Sequence, residues 1–236
     1  MPTIKKRVSS TKKSSEPEIM NAVHMSATYL SKYRQQMIIA AASIAVLLVI
    51  IAAYTMVQSG NDKKASALLA AAYQVYSPAS GMQPDFKKAC DMYLDISKKF
   101  SGTTSAAVAQ YYAANCLVNL GQMNDALREY QIFANKYSGN KELAGLVYQR
   151  MGYVYNALGN REEAITSFEK SENVLGPGAG TIELARLYEQ SGKVQDSRNK
   201  YKTITDKLAG TSWDMEAKAK AQKDVAAMPS PVKETK

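Results

Sequence analysis

A run of 21 residues without a charged side chain, from Met37 to Val57, constrains this 236-residue chain more than any other feature of its sequence. A helix rises about 1.5 Å per residue, so a helical run of this length covers about 30 Å, the thickness of the hydrocarbon core of a bilayer. Tyr33 and Tyr54 lie near its two ends, where aromatic rings suit the boundary between lipid and water. The run predicts a transmembrane helix over 37–57, and a buried helix of a soluble domain is the alternative.

Basic residues before this run predict its orientation. Residues 1–36 hold seven Lys and Arg against two Glu, in a chain whose net charge is +9. Positive charge is enriched on the cytoplasmic side of membrane helices, so the tail is predicted to be cytoplasmic and everything after Val57 to lie on the far side. The run begins only at residue 37 and ends at YTMVQSG, a poor cleavage site, which favours an uncleaved signal anchor over a signal peptide.

The tail itself is predicted to set the topology of the chain. No aromatic residues are interleaved with the basic runs KKR (5–7) and KK (12–13), so nucleic-acid binding is not expected. Residues 17–36 allow a juxtamembrane helix that leads into the membrane, with Pro17 in its first turn. In a bacterium with two membranes, this reading gives a single-pass inner-membrane protein with a periplasmic C-terminal domain.

Beyond residue 62 the sequence repeats itself. Self-similarity at a period of 20–50 residues is typical of solenoids, in which helix pairs stack because neither helix buries its apolar stripe alone. Four segments share one pattern at spacings of 33–38 residues: MQPDFKKACDMY (82–93), LGQMNDALREY (120–130), LGNREEAITSF (158–168) and SGKVQDSRNKY (191–201).

Each repeat combines a turn with a close contact between helices. Gly121, Gly159 and Gly192 are expected to end the first helix of a pair, because glycine adopts the left-handed conformation at low cost. In the second helix, a small residue is followed four positions later by an aromatic one on the same face. These pairs are Ala89 and Tyr93, Ala126 and Tyr130, Ala164 and Phe168, and Ser197 and Tyr201.

The repeat at 145–178 resembles the tetratricopeptide repeat (TPR), and looser copies extend the resemblance over 64–209. It rests on Tyr148, Met151, Gly152, Tyr155, Gly159, Ala164 and Phe168. The resemblance implies an all-α fold in which a TPR-type α-solenoid of about four helix pairs follows the single N-terminal transmembrane helix. Residues 211–227 are predicted to form a C-terminal capping helix, and the polar tail 228–236 to be disordered.

The combination of a basic tail, one signal anchor and a four-copy TPR domain resembles one bacterial family. Its members are inner-membrane TPR proteins described as ancillary subunits of the SecYEG translocon, with a TPR domain named for the cell-division coordinator. The resemblance implies a membrane-anchored adaptor for protein translocation or envelope assembly. The implied partners are translocon subunits, periplasmic chaperones or unfolded secretory chains. A structural scaffold subunit of a division, secretion or cell-wall complex is the alternative, and homo-oligomers are allowed.

The same resemblance places a partner-binding groove on the concave face made by the first helices. This face is polar and contains tyrosine, which suits extended peptides; a solvated surface without a partner is the alternative. The lysine-rich clamp of TPR cochaperones is not matched there. The groove residues implied are Tyr111, Asn115, Asn119, Gln149, Tyr153, Asn156, Ile182, Arg186 and Glu189.

Catalytic, cofactor-binding and metal-binding residues are not expected in this sequence. The only histidine, His24, is predicted to be cytoplasmic, and two cysteines are too few for a thiolate metal site. The segment GPGAG at 176–180 resembles a phosphate-binding loop, but no strand precedes it, so a turn between repeats is favoured. We therefore expect a protein that is not an enzyme.

The two cysteines are expected to come close together. If the helices on either side of residue 102 form a hairpin, Cys90 and Cys116 lie at similar heights in it. A disulfide between them would suit an oxidising periplasm. Two buried, unpaired thiols are the alternative, because the sequence does not fix the direction of either side chain.

Overall fold

A computed structural model describes the backbone of residues 33–227 and the side chains of residues 33–222. Most of the juxtamembrane helix predicted over 17–36, and the predicted disordered tail 228–236, lie outside the described residues. The described part of the chain contains nine helices and no strand. They are α1 (Arg34–Tyr76), α2 (Phe86–Lys99), α3 (Thr104–Asn119), α4 (Met123–Lys136), α5 (Lys141–Ala157), α6 (Arg161–Leu175), α7 (Ala179–Gln190), α8 (Val194–Lys207) and α9 (Ser212–Ala227).

The chain divides between Val57 and Gln58 into two compact units. In the first unit, the uncharged run is helical and every residue of it is exposed. Val49 is 69% exposed and Met56 80% exposed, although both side chains are apolar. Among the described residues, α1 is the one helix whose length and composition would allow it to cross a membrane.

The second unit is a series of antiparallel helix pairs. The part of α1 that follows Val57 precedes α2, and the next pairs are α3 with α4, α5 with α6, and α7 with α8. Each predicted turn glycine has a positive φ, +75° at Gly121, +79° at Gly159 and +71° at Gly192. The left-handed conformation ends α3, α5 and α7 and reverses the chain, as the sequence predicts.

The small and aromatic residues of the second helices form the core of this unit. Ala89, Ala126 and Ala164 are fully buried, and Ser197 is nearly so. The aromatic residues four positions on are also buried, which confirms the predicted helix face: Tyr93, Tyr130, Phe168 and Tyr201. Burial of these large aromatic side chains against small residues removes apolar area from water and stabilises each helix pair.

The first pair contains the longest connection, residues 77–85 between α1 and α2. Asp85 ends this loop and caps α2, because its side chain accepts a hydrogen bond from the backbone N–H of Lys88 at 2.9 Å. Farther back in α1, Asp62 caps the N-terminus of α3 by accepting from the N–H of Ser105 at 2.9 Å. The later part of α1 is therefore joined to the repeat that follows it.

The last helix, α9, covers the end of the solenoid. Ala217 is fully buried together with Tyr201 and Ile204 of α8, and Trp213 packs partly buried against them. Arg186 of α7 donates from Nε and Nη2 to the two carboxylate oxygens of Glu216, at 2.9 and 2.5 Å. This helix shields the apolar face that the fourth pair would otherwise expose.

Candidate functional site

A cavity of about 170 Å³ opens between the first helices of three successive pairs. The sides are polar, with tyrosine hydroxyls, two amides and a guanidinium, and Val118 and Val154 supply apolar surface. The polar residues that line it are Tyr76, Asn115, Asn119, Tyr130, Arg150 and Tyr153. They come from α1, α3, α4 and α5, so no single repeat could form this site.

Helical spacing brings these side chains to the cavity in pairs. Asn115 and Asn119 are four residues apart on α3, and Arg150 and Tyr153 are three apart on α5. Residues at these spacings share one helix face. Tyr130 reaches the cavity from α4, the second helix of its pair, because its ring is part of the core.

Hydrogen bonds fix the floor of the cavity. The buried hydroxyl of Tyr130 donates to Oδ1 of Asn115 at 2.5 Å. Asn119 donates from Nδ2 to the carbonyl oxygen of Asn115 at 2.9 Å and to the hydroxyl oxygen of Tyr76 at 3.5 Å. Burial raises the pKa of Tyr76, Tyr130 and Tyr153 above the ordinary value, so these phenols remain protonated at neutral pH.

Arg150 makes one side-chain hydrogen bond with the described residues. Its Nε donates to the hydroxyl oxygen of Tyr111 at 3.4 Å, which raises the pKa of an already strongly basic group. Tyr111 in turn packs edge-on against Tyr112, with ring centroids 5.3 Å apart. Tyr112 stacks on the buried Tyr93, so ring contacts connect the hydrogen-bond partner of Arg150 to the aromatic core of the first pairs.

Four of the residues that the resemblance places in the groove meet at this cavity. Asn115, Asn119 and Tyr153 line it, and Tyr111 binds Arg150 beside it. Asn115 is buried, so only part of its amide faces the opening. Gln149 and Asn156 lie on α5 outside the residues that line the cavity.

The three groove residues predicted on α7 have other environments. Ile182 corrects the prediction: its side chain is 2% exposed and packs against α8 and α9, so no partner can touch it in the folded protein. Arg186 binds Glu216 of α9, and Glu189 accepts from Lys220 of α9 at 2.6 and 2.8 Å. These residues hold the last helix in place, because α9 occupies the position that a further repeat would take.

Sequence reasoning missed Tyr76, Tyr130 and Arg150 as cavity residues. The repeat pattern indicates a core position for Tyr130. Tyr76 precedes an irregular loop, and the sequence does not predict the path of that loop. Arg150 could have been found, because it lies three residues before Tyr153 and therefore on the same face of α5.

Both cysteines are buried free thiols in this structure. Cys90 Sγ lies 3.9 Å from the carbonyl oxygen of Ala113, one turn before Cys116 on α3. Burial raises the pKa of Cys90 to about 11 and that of Cys116 to about 12. The two residues are neighbours in the core, as the hairpin predicts, and a disulfide between them stays a prediction.

A wider groove of about 630 Å³ lies between α4 and α6. Tyr148, Met151 and Tyr155 of α5 line it together with residues of both flanking helices. Lys170 stands over the ring of Tyr148, 5.5 Å from its centroid, so a cation already covers part of this aromatic surface.

Comparison with known proteins agrees with this architecture. Residues 28–225 match the family model described as tetratricopeptide repeat-like domain. Among solved structures, the chain is similar to the nearly identical TPR-like repeats attributed to a kinesin light chain of Podospora anserina and to a single-residue variant of those repeats. Each is 14% identical to this chain in sequence, with a TM-score of 0.53, and the match covers 70% of this chain and 90% of the other. A thermophilic TPR protein of Thermus thermophilus is 15% identical, with a TM-score of 0.35 over 67% of this chain and 99% of its own. Among curated proteins, none matches the chain in sequence.

Proposed function

Because the chain belongs to the tetratricopeptide repeat-like family, we propose that it is a membrane-anchored adaptor that binds protein partners at the cavity around Arg150. TPR domains generally bind proteins, and the solenoid here has the same all-helical fold. The role we propose is binding without catalysis, on the extracytoplasmic side of a bacterial inner membrane, in protein translocation or envelope assembly.

The cavity is the observation that carries the binding role. It is open, it is lined by polar side chains from three successive pairs, and the donors in it are oriented by the hydrogen bonds of Asn115, Asn119 and Tyr111. Oriented polar groups beside apolar surface are what a peptide backbone and its side chains require for specific binding.

The exposed apolar run of α1 supports membrane anchoring. Twenty-one consecutive uncharged residues with no protein surface over them would be costly in water and favourable in hydrocarbon. The basic residues before the run support a cytoplasmic N-terminus. Anchoring confines the domain near other membrane proteins and raises its effective concentration, so a small binding site is sufficient.

The proposed partners follow from the resemblance to ancillary translocon subunits. They are translocon subunits, periplasmic chaperones or secretory chains that emerge unfolded. A scaffold subunit of a membrane complex is the second candidate, and it is favoured by apolar side chains that the fold leaves exposed, among them Leu146, Val174 and Leu175. Such a surface would make permanent contacts, with another protein or with a second copy of this chain.

Affinity purification of the full-length protein in mild detergent, followed by mass spectrometry, tests the adaptor. We expect translocon subunits or periplasmic chaperones to copurify and to be lost from a Tyr153→Ala variant. A Val174→Ser variant is the matched control, because it alters the apolar surface and leaves the cavity intact. Partners lost only from the control would favour the scaffold.

Membrane anchoring is tested separately in the cell. The protein should remain in the membrane fraction after alkaline extraction, and protease added to spheroplasts should digest the domain after Val57. Recovery in the soluble fraction, or protection of that domain in intact spheroplasts, would contradict the proposed topology.

A further inference from the structure

The second unit has one end at which the apolar run is attached to it. Gln58 is the first residue of this unit and follows Val57 directly in the chain. A β-carbon on Gly102, in the loop 100–103 between α2 and α3, would lie 2.7 Å from Nε2 of Gln58. A cavity of about 230 Å³ is lined by residues of that loop and of the loop 137–140 between α4 and α5. Both loops therefore lie at the end of the unit that contains Gln58, which we call the proximal end.

Three lysines without ion pairs surround these two loops. Lys98 lies in the last turn of α2, Lys136 in the last turn of α4, and Lys141 is the first residue of α5. All three residues are exposed, and none forms an ion pair with any residue of the described part. Lys136 stands over the ring of Tyr137, 5.3 Å from its centroid, and lines the cavity between the loops. Their positive charge is therefore available to a ligand outside the chain.

Acidic residues beside the loops do not cancel this charge. Lys99 pairs with Asp95 at 2.8 Å, so these two residues add no net charge. Glu142, in the first turn of α5, offsets one of the three lysines. Residues 62–64 of α1, DKK, add one further net positive charge. The proximal end is therefore positively charged around both loops.

Helix dipoles do not account for all of this charge. α4 has Asp125 in its first turn and Lys136 in its last, and α8 has Asp196 and Lys207 in the same places. Such an arrangement complements the helix dipole. Lys141 does not, because it lies at the N-terminus of α5, where the dipole disfavours a cation. A binding role at the proximal end explains its position.

We propose, on the basis of the membrane anchoring proposed above, that the proximal end docks on the bilayer and that Lys98, Lys136 and Lys141 bind the phosphate groups of anionic phospholipids. The attachment of Gln58 to the apolar run brings these loops close to the headgroups when the run spans the bilayer. A lysine held near an anionic bilayer surface contributes about a fivefold preference for the docked state, within a Debye length of about 10 Å. Docking would limit rotation of the solenoid on its anchor and hold the cavity around Arg150 in one orientation.

Attachment to the membrane favours lipid over an acidic protein as the ligand. The anchor keeps headgroups at a high effective concentration beside the lysines, so contacts that are weak one by one are sufficient together. Lysine also binds phosphate as a compact point charge with little demand on geometry, which suits lipid headgroups.

Hydrogen exchange of the full-length protein in nanodiscs tests the docking. Discs of phosphatidylcholine are compared with discs of an equal mixture of phosphatidylcholine and phosphatidylglycerol. We expect the amides of loops 100–103 and 137–140 to exchange several-fold more slowly in the mixed discs, because headgroups cover them. Loops 120–122 and 158–160, at the opposite end, are the internal control and should exchange equally in both. Salt at about 1 M, which shortens the Debye length to about 3 Å, should remove the difference.

Two matched double variants separate the charge from the fold. Lys98→Gln/Lys136→Gln removes two proximal lysines, and Lys87→Gln/Lys88→Gln removes two exposed lysines at the start of α2, at the opposite end. The first variant should lose most of the slowing in mixed discs, since each lysine contributes about fivefold. The second removes the same charge and should retain the slowing. Circular dichroism confirms that both variants remain helical.

The outcomes distinguish this inference from the proposed function. Protein that does not enter the discs would overturn the membrane anchor and the docking together. Protein that enters the discs but shows equal exchange in both kinds, or no effect of Lys98→Gln/Lys136→Gln, would overturn the lipid contact and leave the anchor standing. An acidic protein that copurifies and is lost from the same variant, without any effect of phosphatidylglycerol, would assign the lysines to a protein partner instead. Slowing that occurs only in mixed discs and is lost only in the proximal variant supports the docking.

Discussion

The ring of Phe168 fills the space beside Gly152 so closely that a β-carbon on the glycine would lie 2.8 Å from the ring. Both residues are buried, and the ring of Tyr153 meets that of Phe168 edge-on at a centroid distance of 5.0 Å. The contact brings α5 and α6 together within one helix pair. The contact also positions Tyr153, which packs against Phe168 and lines the cavity as well.

Gly152→Ala should therefore destabilise the solenoid, although alanine is the better helix former. Forcing a methyl group into a packed core costs about 1–3 kcal/mol, more than the gain of up to about 1 kcal/mol in helix propensity. Urea unfolding followed by circular dichroism measures the difference. Gly139→Ala is the control, because a β-carbon at Gly139 meets nothing within 4 Å and no positive φ is needed there. Equal stability of the two variants would contradict the close contact.

Removal of the hydroxyl should change the free energy of unfolding differently at two buried tyrosines, Tyr130 and Tyr93. The hydroxyl of Tyr130 donates to Asn115, whereas that of Tyr93 has no partner in the described structure. Tyr130→Phe should lower the free energy of unfolding by about 1–3 kcal/mol, because the amide oxygen of Asn115 is left unsatisfied. Tyr93→Phe should be neutral or stabilising, since it removes an unpaired polar atom. A larger loss in Tyr93→Phe, measured by urea unfolding, would contradict this hydrogen-bond assignment.

Attachment of the last helix should weaken in acid. The hydrogen bond from Arg186 lowers the pKa of Glu216 below its ordinary value of 4.5. A carboxyl whose pKa is lowered by folding stabilises the fold above its ordinary pKa, and this contribution disappears as the pH falls through the lowered value. Glu216→Gln should cost about 1 kcal/mol at pH 7, the upper range for a partly exposed pair, and the variant and the unmodified protein should converge in acid.

The control for this pH dependence is Asp206→Asn on α8. Asp206 pairs with Lys202 at 2.6 Å, but both side chains are more than half exposed, so the pair contributes little. Unfolding in urea at pH 7 and at pH 3 is compared for both variants. A Glu216→Gln effect that persists unchanged at the lower pH would show that the ion pair is not its cause.

Both cysteines should resist alkylation in the folded protein. Because burial raises the pKa of Cys90 to about 11 and that of Cys116 to about 12, almost no thiolate exists at pH 8, and access is blocked as well. Iodoacetamide should label them only after unfolding, with mass spectrometry as the readout. Rapid labelling of the native protein would contradict their burial.

The same labelling decides the disulfide that the sequence allows. Labelling of both cysteines after unfolding without reductant shows free thiols. Labelling that requires reductant, in protein isolated from an oxidising compartment, shows a bridge between Cys90 and Cys116.

Local chemistry was sufficient for much of the fold. The glycines that reverse the chain at Gly121, Gly159 and Gly192, and the helix face that carries Ala164 and Phe168, follow from backbone preference and helical spacing. These features depend on residues within one repeat, so one sequence contains all the information needed. The uncharged run before the repeats is equally readable, because length and polarity alone define it.

The binding face depended on contacts between repeats, and there the sequence was a weaker guide. Asn115, Asn119 and Tyr153 line one cavity, and their role in binding stays a prediction, whereas Ile182 is buried because α9 covers it. Arg186 looked like a groove residue until Glu216 was seen to bind it. The side chains of the next helix determine which polar residues face an open cavity.

The sequence by itself determined the helices, their turns, the period of the repeat and the apolar segment before it, since each of these arises from spacing along one stretch of chain. The tertiary structure alone decided that Arg150 would form no ion pair with the described residues while Arg186 would bind Glu216 of α9. The physical reason is that a side chain's charge partner is set by residues distant in sequence: 30 positions separate Arg186 from Glu216. Within the described part of the chain, folding thus left the guanidinium of α5 without an ion pair, among tyrosines and amides.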